Sequence, residues 1–209
     1  MNGIFPPATH FVQFNLSDMI TALGEDEVKN ILSSFVCPSN KDVENFLRFK
    51  AIEFSKRNFS KTHVVFWSTD DGLEKELVGY YTIAVRTLKV ERSVISSKQA
   101  RKLREHGIFD EKNKQYIVSA PLIGQLGKNY TNGNDTLISG TELLNLAMEK
   151  IRSVQKEVGG RFAYLECEDN EKLISFYERN NFKVFGKRRL DGDETDIRGE
   201  YLIQLFTML

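Results

Sequence analysis

The stretch that decides the fold is Phe162-Ala163-Tyr164-Leu165-Glu166-Cys167 followed by Asn170-Glu171-Lys172-Leu173-Ile174-Ser175-Phe176-Tyr177-Glu178-Arg179-Asn180-Asn181-Phe182. Its first six residues read as a strand. In the second part Leu173, Phe176 and Tyr177 fall on one side of a short helix over residues 170–180. Immediately upstream, residues 138–158 carry Leu143, Leu144, Leu146, Ala147, Ile151 and Val154 at helical spacing and stop at Gly159-Gly160, the usual way a helix ends. Before that lies a Gly/Asn-rich loop over residues 128–135, and before the loop a strand over residues 116–126. Strand, loop, long helix and strand form a crossover unit, which predicts that its two strands run parallel.

Working outward, residues 40–57 place Val43, Phe46, Leu47, Ala51, Ile52 and Phe54 on one broad stripe of a helix. Residues 62–67 and 76–85 read as an antiparallel hairpin across a charged turn at 69–75. Residues 96–106 predict an exposed helix bearing Lys98, Arg101, Lys102 and Arg104 and ending at Gly107. Pro121 is expected to mark an edge or a bulge in its strand. Residues 182–186 and 199–208 read as the last strands, with a charged turn at 188–198. The order predicts an α/β fold whose mixed sheet is flanked by helices on both faces, antiparallel early and parallel around the long helix. No linker or repeat interrupts it. The expectation is one domain over residues 1–209, with an N-terminal helical part at 1–60 and a core at 116–187.

Composition narrows the function classes. Lys plus Arg and Asp plus Glu number 29 each in 209 residues, so no whole-chain field favours nucleic acid or an anionic membrane. Cys37 and Cys167 lie far apart, without partners at metal-ligand spacing, which argues against a disulfide framework or a zinc site. No apolar run approaches the ~20 residues that span a bilayer, and residues 1–13 lack the pattern of a secretory signal. A cytoplasmic protein with no membrane partner is the expectation.

Two units carry chemistry. The first is the start of the long helix at Ser139, Gly140 and Thr141, where unpaired amides and the positive dipole end suit a phosphate; ordinary helix capping explains the same residues. Neither the P-loop nor the dinucleotide fingerprint is present. The second is Tyr177, whose ring packs while its hydroxyl is able to reach a reacting group, although a core tyrosine fits the same position. Cys167 sits between acidic neighbours that raise a thiol's pKa, and so reads as inert. His10, His63 and His106 share no spacing with a nucleophile.

The run Asn170 to Phe182 resembles the signature of the GNAT family of N-acetyltransferases, in which Asn-Glu leads a short helix ending in Phe-Tyr-Glu-x-x-x-Phe. Leu122-Ile123-Gly124-Gln125-Leu126-Gly127 resembles that family's central strand, and Gly140-Thr141-Glu142-Leu143-Leu144 the end of its acyl-CoA loop and the helix after it. Residues 35–47 and Leu77-Val78-Gly79-Tyr80-Tyr81 are similar to a branch that includes toxins acting on aminoacyl-tRNA. The family loop reads Gln/Arg-x-x-Gly-x-Gly/Ala, where this chain has Asp135, Ile138 and Gly140.

The resemblance implies the GNAT fold, with two parallel strands splayed at the acyl-CoA site. It also implies an N-acyltransferase passing an acyl group, most simply acetyl, from acetyl-CoA or another acyl-CoA to an amine. The amine belongs to a small molecule, a protein or an aminoacyl-tRNA. Leu126, Gly127 and Lys128 would pair with the pantetheine arm, Ser139, Gly140 and Thr141 would hold the pyrophosphate, Asn170 would bond the arm from the other side, and Tyr177 would be the general acid. Glu166 and residues around Tyr80 stand as base candidates or as structural groups. Pairing of family members through C-terminal strands implies a homodimer edge at Tyr201 to Leu205. The altered loop supports a second reading, a GNAT-fold binding or scaffold protein without catalysis.

Overall fold

The computed structural model describes residues 11–69, 74–190, 192, 197 and 199–209. Its elements in chain order are β1 (Phe11–Asn15), α1 (Leu16–Leu23), α2 (Glu25–Ser33), α3 (Lys41–Asn45), a π-helical turn (Phe46–Lys50) and α4 (Ala51–Lys56). There follow β2 (Lys61–Ser68), β3 (Lys75–Glu91), α5 (Ser97–His106), β4 (Ile108–Asp110) and β5 (Gln115–Lys128). The chain ends with α6 (Gly140–Val158), β6 (Phe162–Glu168), α7 (Glu171–Arg179), β7 (Lys183–Arg189) and β8 (Tyr201–Met208).

The strands form one eight-stranded sheet in the order β1-β2-β3-β5-β6-β8-β7, with β4 alongside β5. Every pairing is antiparallel except β5 with β6, the pair that α6 connects. The mixed sheet with its parallel centre is thus present as the pattern predicts. Adjacent strand residues go to opposite faces: Val65, Val78 and Tyr81 pack with α6, while Val64, Leu77 and Tyr80 pack with α1–α4. On α6, Leu143, Leu144, Ala147 and Ile151 are at most 1% exposed, and each buried Leu or Ile side chain contributes about 1.5–3 kcal/mol. A third cluster seats α5 through Ala100 and Leu103 against Leu88, Val118 and Phe206.

Several details differ from the sequence reading. The N-terminal part contributes a strand, β1, whose five residues Phe11-Val12-Gln13-Phe14-Asn15 are too few to announce an alternation, as well as helices α1–α4. The helix expected over 40–57 is interrupted by the π-turn, where Ala51 N–H reaches back to the carbonyl of Phe46; such turns recur at functional sites. Pro121 lies within a continuous β5, opposite Val85. It falls between the stretch paired to β4 (Gln115–Ile117) and the stretch paired to β6 (Leu122–Ile123), where β3 is the only partner among the described residues and a missing N–H is tolerated.

The strand expected as a dimer edge, β8, is paired on both sides, by β6 and by β7. Its backbone is therefore not available for pairing with a second copy. Most of the charged turns expected at 69–75 and 188–198 lie outside the described residues. Among the described residues no helix is long and apolar enough to cross a membrane.

Candidate active site

The parallel contact between β5 and β6 is two residues long: Leu122 pairs with Tyr164 and Ile123 with Leu165. Beyond it the strands part. Thr82 of β3 faces Gln125 while the next residue, Ile83, faces Ile123, so Gly124 is an extra residue bulged out of β5 at the point of divergence. A bulge bends its strand and raises its twist, which is what opens the splay. From Gln125 to Lys128, β3 is the one strand paired with β5 among the described residues, leaving its other edge to the cleft.

Helix α3 packs closely on this edge, and the start of α6 packs closely on α7. A Cβ on Gly127 would come within 2.3 Å of Val43 Cγ1 on α3, and one on Gly140 within 3.3 Å of the Phe176 ring. Glycine at 127 is therefore required by packing of α3 onto the strand. Asp42 Oδ2 accepts from Gln125 Nε2 at 2.8 Å and ties the same helix to the bulge.

The resulting cleft has a volume of about 680 Å³ and is lined by Leu126, Gly127, Lys128, Gly140, Asn170 and Tyr177, among others. Six of the eight residues expected at the site thus come together. Ser139 and Thr141 are exposed on either side of Gly140 and do not line it. Ser139 is spent on a capping box: its hydroxyl accepts from Glu142 N–H at 3.1 Å, and Glu142 Oε2 accepts from Ser139 N–H at 2.7 Å. Leu143 N–H is bonded to the carbonyl of Ser139. The amides of Gly140 and Thr141 are left without a partner among the described residues, which is the anion-binding character of a helix start.

The loop before α6 is fixed by two buried asparagines. Asn129 Oδ1 accepts from Val36 N–H at 3.0 Å and its Nδ2 donates to the carbonyl of Leu77 at 2.9 Å. Asn134 Nδ2 donates to Glu76 at 3.0 Å and to the carbonyl of Leu77 at 3.2 Å. The left-handed conformations fall on Asn132 (φ 54°) and Gly133 (φ 79°), not on Ile138, which is buried with α6. Lys128 Nζ donates to the carbonyl of Asp135 at 2.7 Å, so the acidic position is folded against a lysine.

Tyr177 is 9% exposed and packs its ring edge-on against Phe176 and Phe182. Its hydroxyl has no hydrogen-bond partner among the described residues, and burial, with a smaller push from Cys167, raises its pKa above the usual phenol range. Asn170 caps α7, accepting from Lys172 N–H at 2.9 Å, so only its Nδ2 remains for another partner. Burial first, then Asp169 and Glu168, pushes the Cys167 thiol up to about 12, in keeping with an inert thiol.

The base candidates are otherwise engaged. Glu166 accepts from Arg188 Nε and from Gln204 Nε2, both at 2.7 Å. Tyr80 is fully buried, donates to the carbonyl of Val43 at 2.6 Å, and is held well above the phenol range by burial. Both read as structural groups. Sequence reasoning missed the Gly124 bulge, the Asn129 and Asn134 anchors and the Asp42–Gln125 link. Of these only the asparagines left a trace, as a polar loop of unexplained composition.

No protein-family model matches the chain, and no curated protein does. Among solved structures it resembles AtaT complexed with acetyl-methionyl-tRNAfMet, with a TM-score of 0.60 and 18% identity over 95% of this chain and 94% of that one. It also resembles a tyrosine-to-phenylalanine mutant of KacT, at 0.59 and 18% over 95% of both chains. A third is a mutant AtaT toxin bound to the C-terminus of the antitoxin AtaR and acetyl-CoA, at 0.53 and 16% over 95% of this chain and 93% of that one. With its splayed parallel pair, its α6 crossover and this likeness along nearly its whole length, the chain has the GNAT fold.

Proposed function

We propose that the protein is an N-acetyltransferase that takes its acyl group from acetyl-CoA. The observation that carries this reading is the edge of β5 from Gln125 to Lys128, unpaired among the described residues, with Tyr177, whose hydroxyl has no partner among them, in the same cleft. An extended pantetheine arm adds to such an edge as a strand does, bonding the backbone of Leu126, Gly127 and Lys128. The amides of Gly140 and Thr141 meet the pyrophosphate at the start of α6, with Ser139 holding that start in place through its capping box. Asn170 Nδ2 bonds the arm from the other wall.

In the reaction the acceptor nitrogen forms a bond to the thioester carbonyl carbon and the carbon–sulfur bond breaks. The departing sulfur takes the proton of Tyr177, and the proton lost by the amine returns to the phenol through solvent. A phenol held above its usual pKa stays protonated at neutral pH, as a donor must. The backbone N–H near Gly127 meets the developing oxyanion. The likeness to AtaT complexed with acetyl-methionyl-tRNAfMet supports the amine of an aminoacyl-tRNA as acceptor, and the likeness to AtaT bound to the C-terminus of AtaR supports an antitoxin-type protein partner.

Titration of acetyl-CoA into the wild type and into Tyr177→Phe tests this. The reading expects saturable binding in both, with transfer in the variant reduced by about 10²-fold or more. No binding to either at millimolar acetyl-CoA would instead favour a GNAT-fold scaffold.

A further inference from the structure

The cleft is lined from both faces of the sheet. Tyr177, Leu143 and Gly140 border it on the α6 side, while Phe46, Phe54, Ser60 and Arg86 border it on the side of α3 and α4. The acyl-CoA reading uses only the first half. The second half has a wall of three rings in file. Phe46 meets Phe54 edge-on at 5.2 Å and 78°, and Phe54 meets Phe59 edge-on at 5.6 Å and 81°. Ser60 follows that wall and directly precedes β2. It is 9% exposed, and its buried hydroxyl has no hydrogen-bond partner among the described residues.

A buried hydroxyl without a partner is costly, and native structures rarely leave one so. Two other buried hydroxyls, Ser55 and Thr62, are also unpartnered among the described residues, but of the three Ser60 alone lines the cleft, so of the three Ser60 alone is placed to be completed by a ligand. A hydroxyl both donates and accepts, which matches another hydroxyl as partner. Rings set edge-on in file present faces and edges on which a further ring stacks favourably.

We propose that this half is the side-chain pocket of the acceptor and that it selects amines carrying a hydroxylated aromatic group, with the ring against Phe46, Phe54 and Phe59 and its hydroxyl on Ser60. The inference rests on the acyltransferase reading in placing the amine at the splay. A site built to bond a substrate hydroxyl rejects the analogue that lacks it far better than an apolar pocket separates two sizes of hydrocarbon. Ser60 is then the residue that sets specificity, and it acts on the acceptor alone.

The test uses the full chain with tyrosinamide and phenylalaninamide, following both binding and acetyl transfer, and titrates acetyl-CoA separately. Wild type is expected to favour tyrosinamide by about tenfold or more in affinity and in kcat/KM, a modest share of what hydroxyl recognition can give. Ser60→Ala is expected to bring that ratio close to one with an unlowered melting temperature, a pattern that a merely structural serine would not produce. Equal use of the two amines by wild type, or a ratio unaltered in Ser60→Ala, would overturn the pocket while leaving acetyl-CoA binding intact. Ser60-dependent binding of tyrosinamide by a protein that does not bind acetyl-CoA would keep the pocket and sink the transferase reading. Absence of both overturns both.

Discussion

The two halves of the cleft are built from different materials. On the α6 side the groups proposed to hold the cofactor are mostly backbone, the edge of β5 with its bulge at Gly124 and the amides at the start of α6, joined by the side chains of Asn170 and Tyr177. On the α3–α4 side the lining groups are side chains: the Phe46, Phe54 and Phe59 rings, Ser60, Arg86 and the Glu166–Arg188 pair. A backbone site needs a fold and a few glycines, and the fold is kept at 18% identity to a structural neighbour. A side-chain site is rewritten by single substitutions. On the proposed reading, the half that holds the cofactor follows from the fold, and the half that meets the acceptor from side chains of this chain.

The comparison can be broken most strongly at Gly127. A valine there puts its Cβ within 2.3 Å of Val43 Cγ1 and 3.4 Å from the Phe35 and Tyr80 rings. Overpacking of this kind costs about 1–3 kcal/mol, and the same side chain obstructs the strand edge. Chemical denaturation is expected to show the stability loss, and titration a parallel loss of acetyl-CoA affinity. Stability falling while affinity holds would mean that the edge is not where the cofactor binds.

The support beneath the backbone half is sensitive to acid. His63 on β2 stacks on Tyr81 at 5.1 Å and is 7% exposed. Burial first, and then Lys150, lowers its pKa from 6.5 to about 4. The native state keeps it neutral where the unfolded chain takes up a proton, so stability is full above pH 6.5 and declines as pH falls towards 4. A shift of this size corresponds to at most about 3 kcal/mol. Melting temperature followed from pH 7 to 4.5 should fall in the wild type and fall less steeply in His63→Gln; parallel curves would assign the acid sensitivity elsewhere.

A smaller effect separates scaffold from ligand at the start of α6. Ser139→Ala removes the capping box and should cost about 1 kcal/mol, with acetyl-CoA affinity reduced only through fraying of the helix start. Smallest of all, Arg86→Ala on the acceptor side should leave acetyl-CoA affinity unchanged in the same titration. A marked loss there would show that the two halves are not separable.

The same division explains what was legible in the sequence. The long helix, the parallel pair it connects and the α7 helix that carries Tyr177 each rest on periodicity and end at glycine or asparagine, signals that are local in the chain. Strand β1 has five residues among polar neighbours, and its partner β2 lies about 50 residues on, so nothing local announces it. The Gly124 bulge is set by register against β3, a long-range property. Asp135 and Ile138 looked unsuited to a phosphate loop by family pattern, but Asn132 and Gly133 take the left-handed backbone and Ile138 joins the core. The dimer edge expected at β8 failed for the same reason as β1: strand order is decided by pairing across the sheet, and β7 turns back to cover that edge.

The central claim, that backbone at the splay holds acyl-CoA, is tested most directly by following backbone amide resonances while acetyl-CoA is added. The account predicts saturable shifts at Leu126, Gly127, Lys128, Gly140 and Thr141, with slowed hydrogen exchange along that edge of β5. Shifts confined to other surfaces, or none at saturating cofactor, would contradict it.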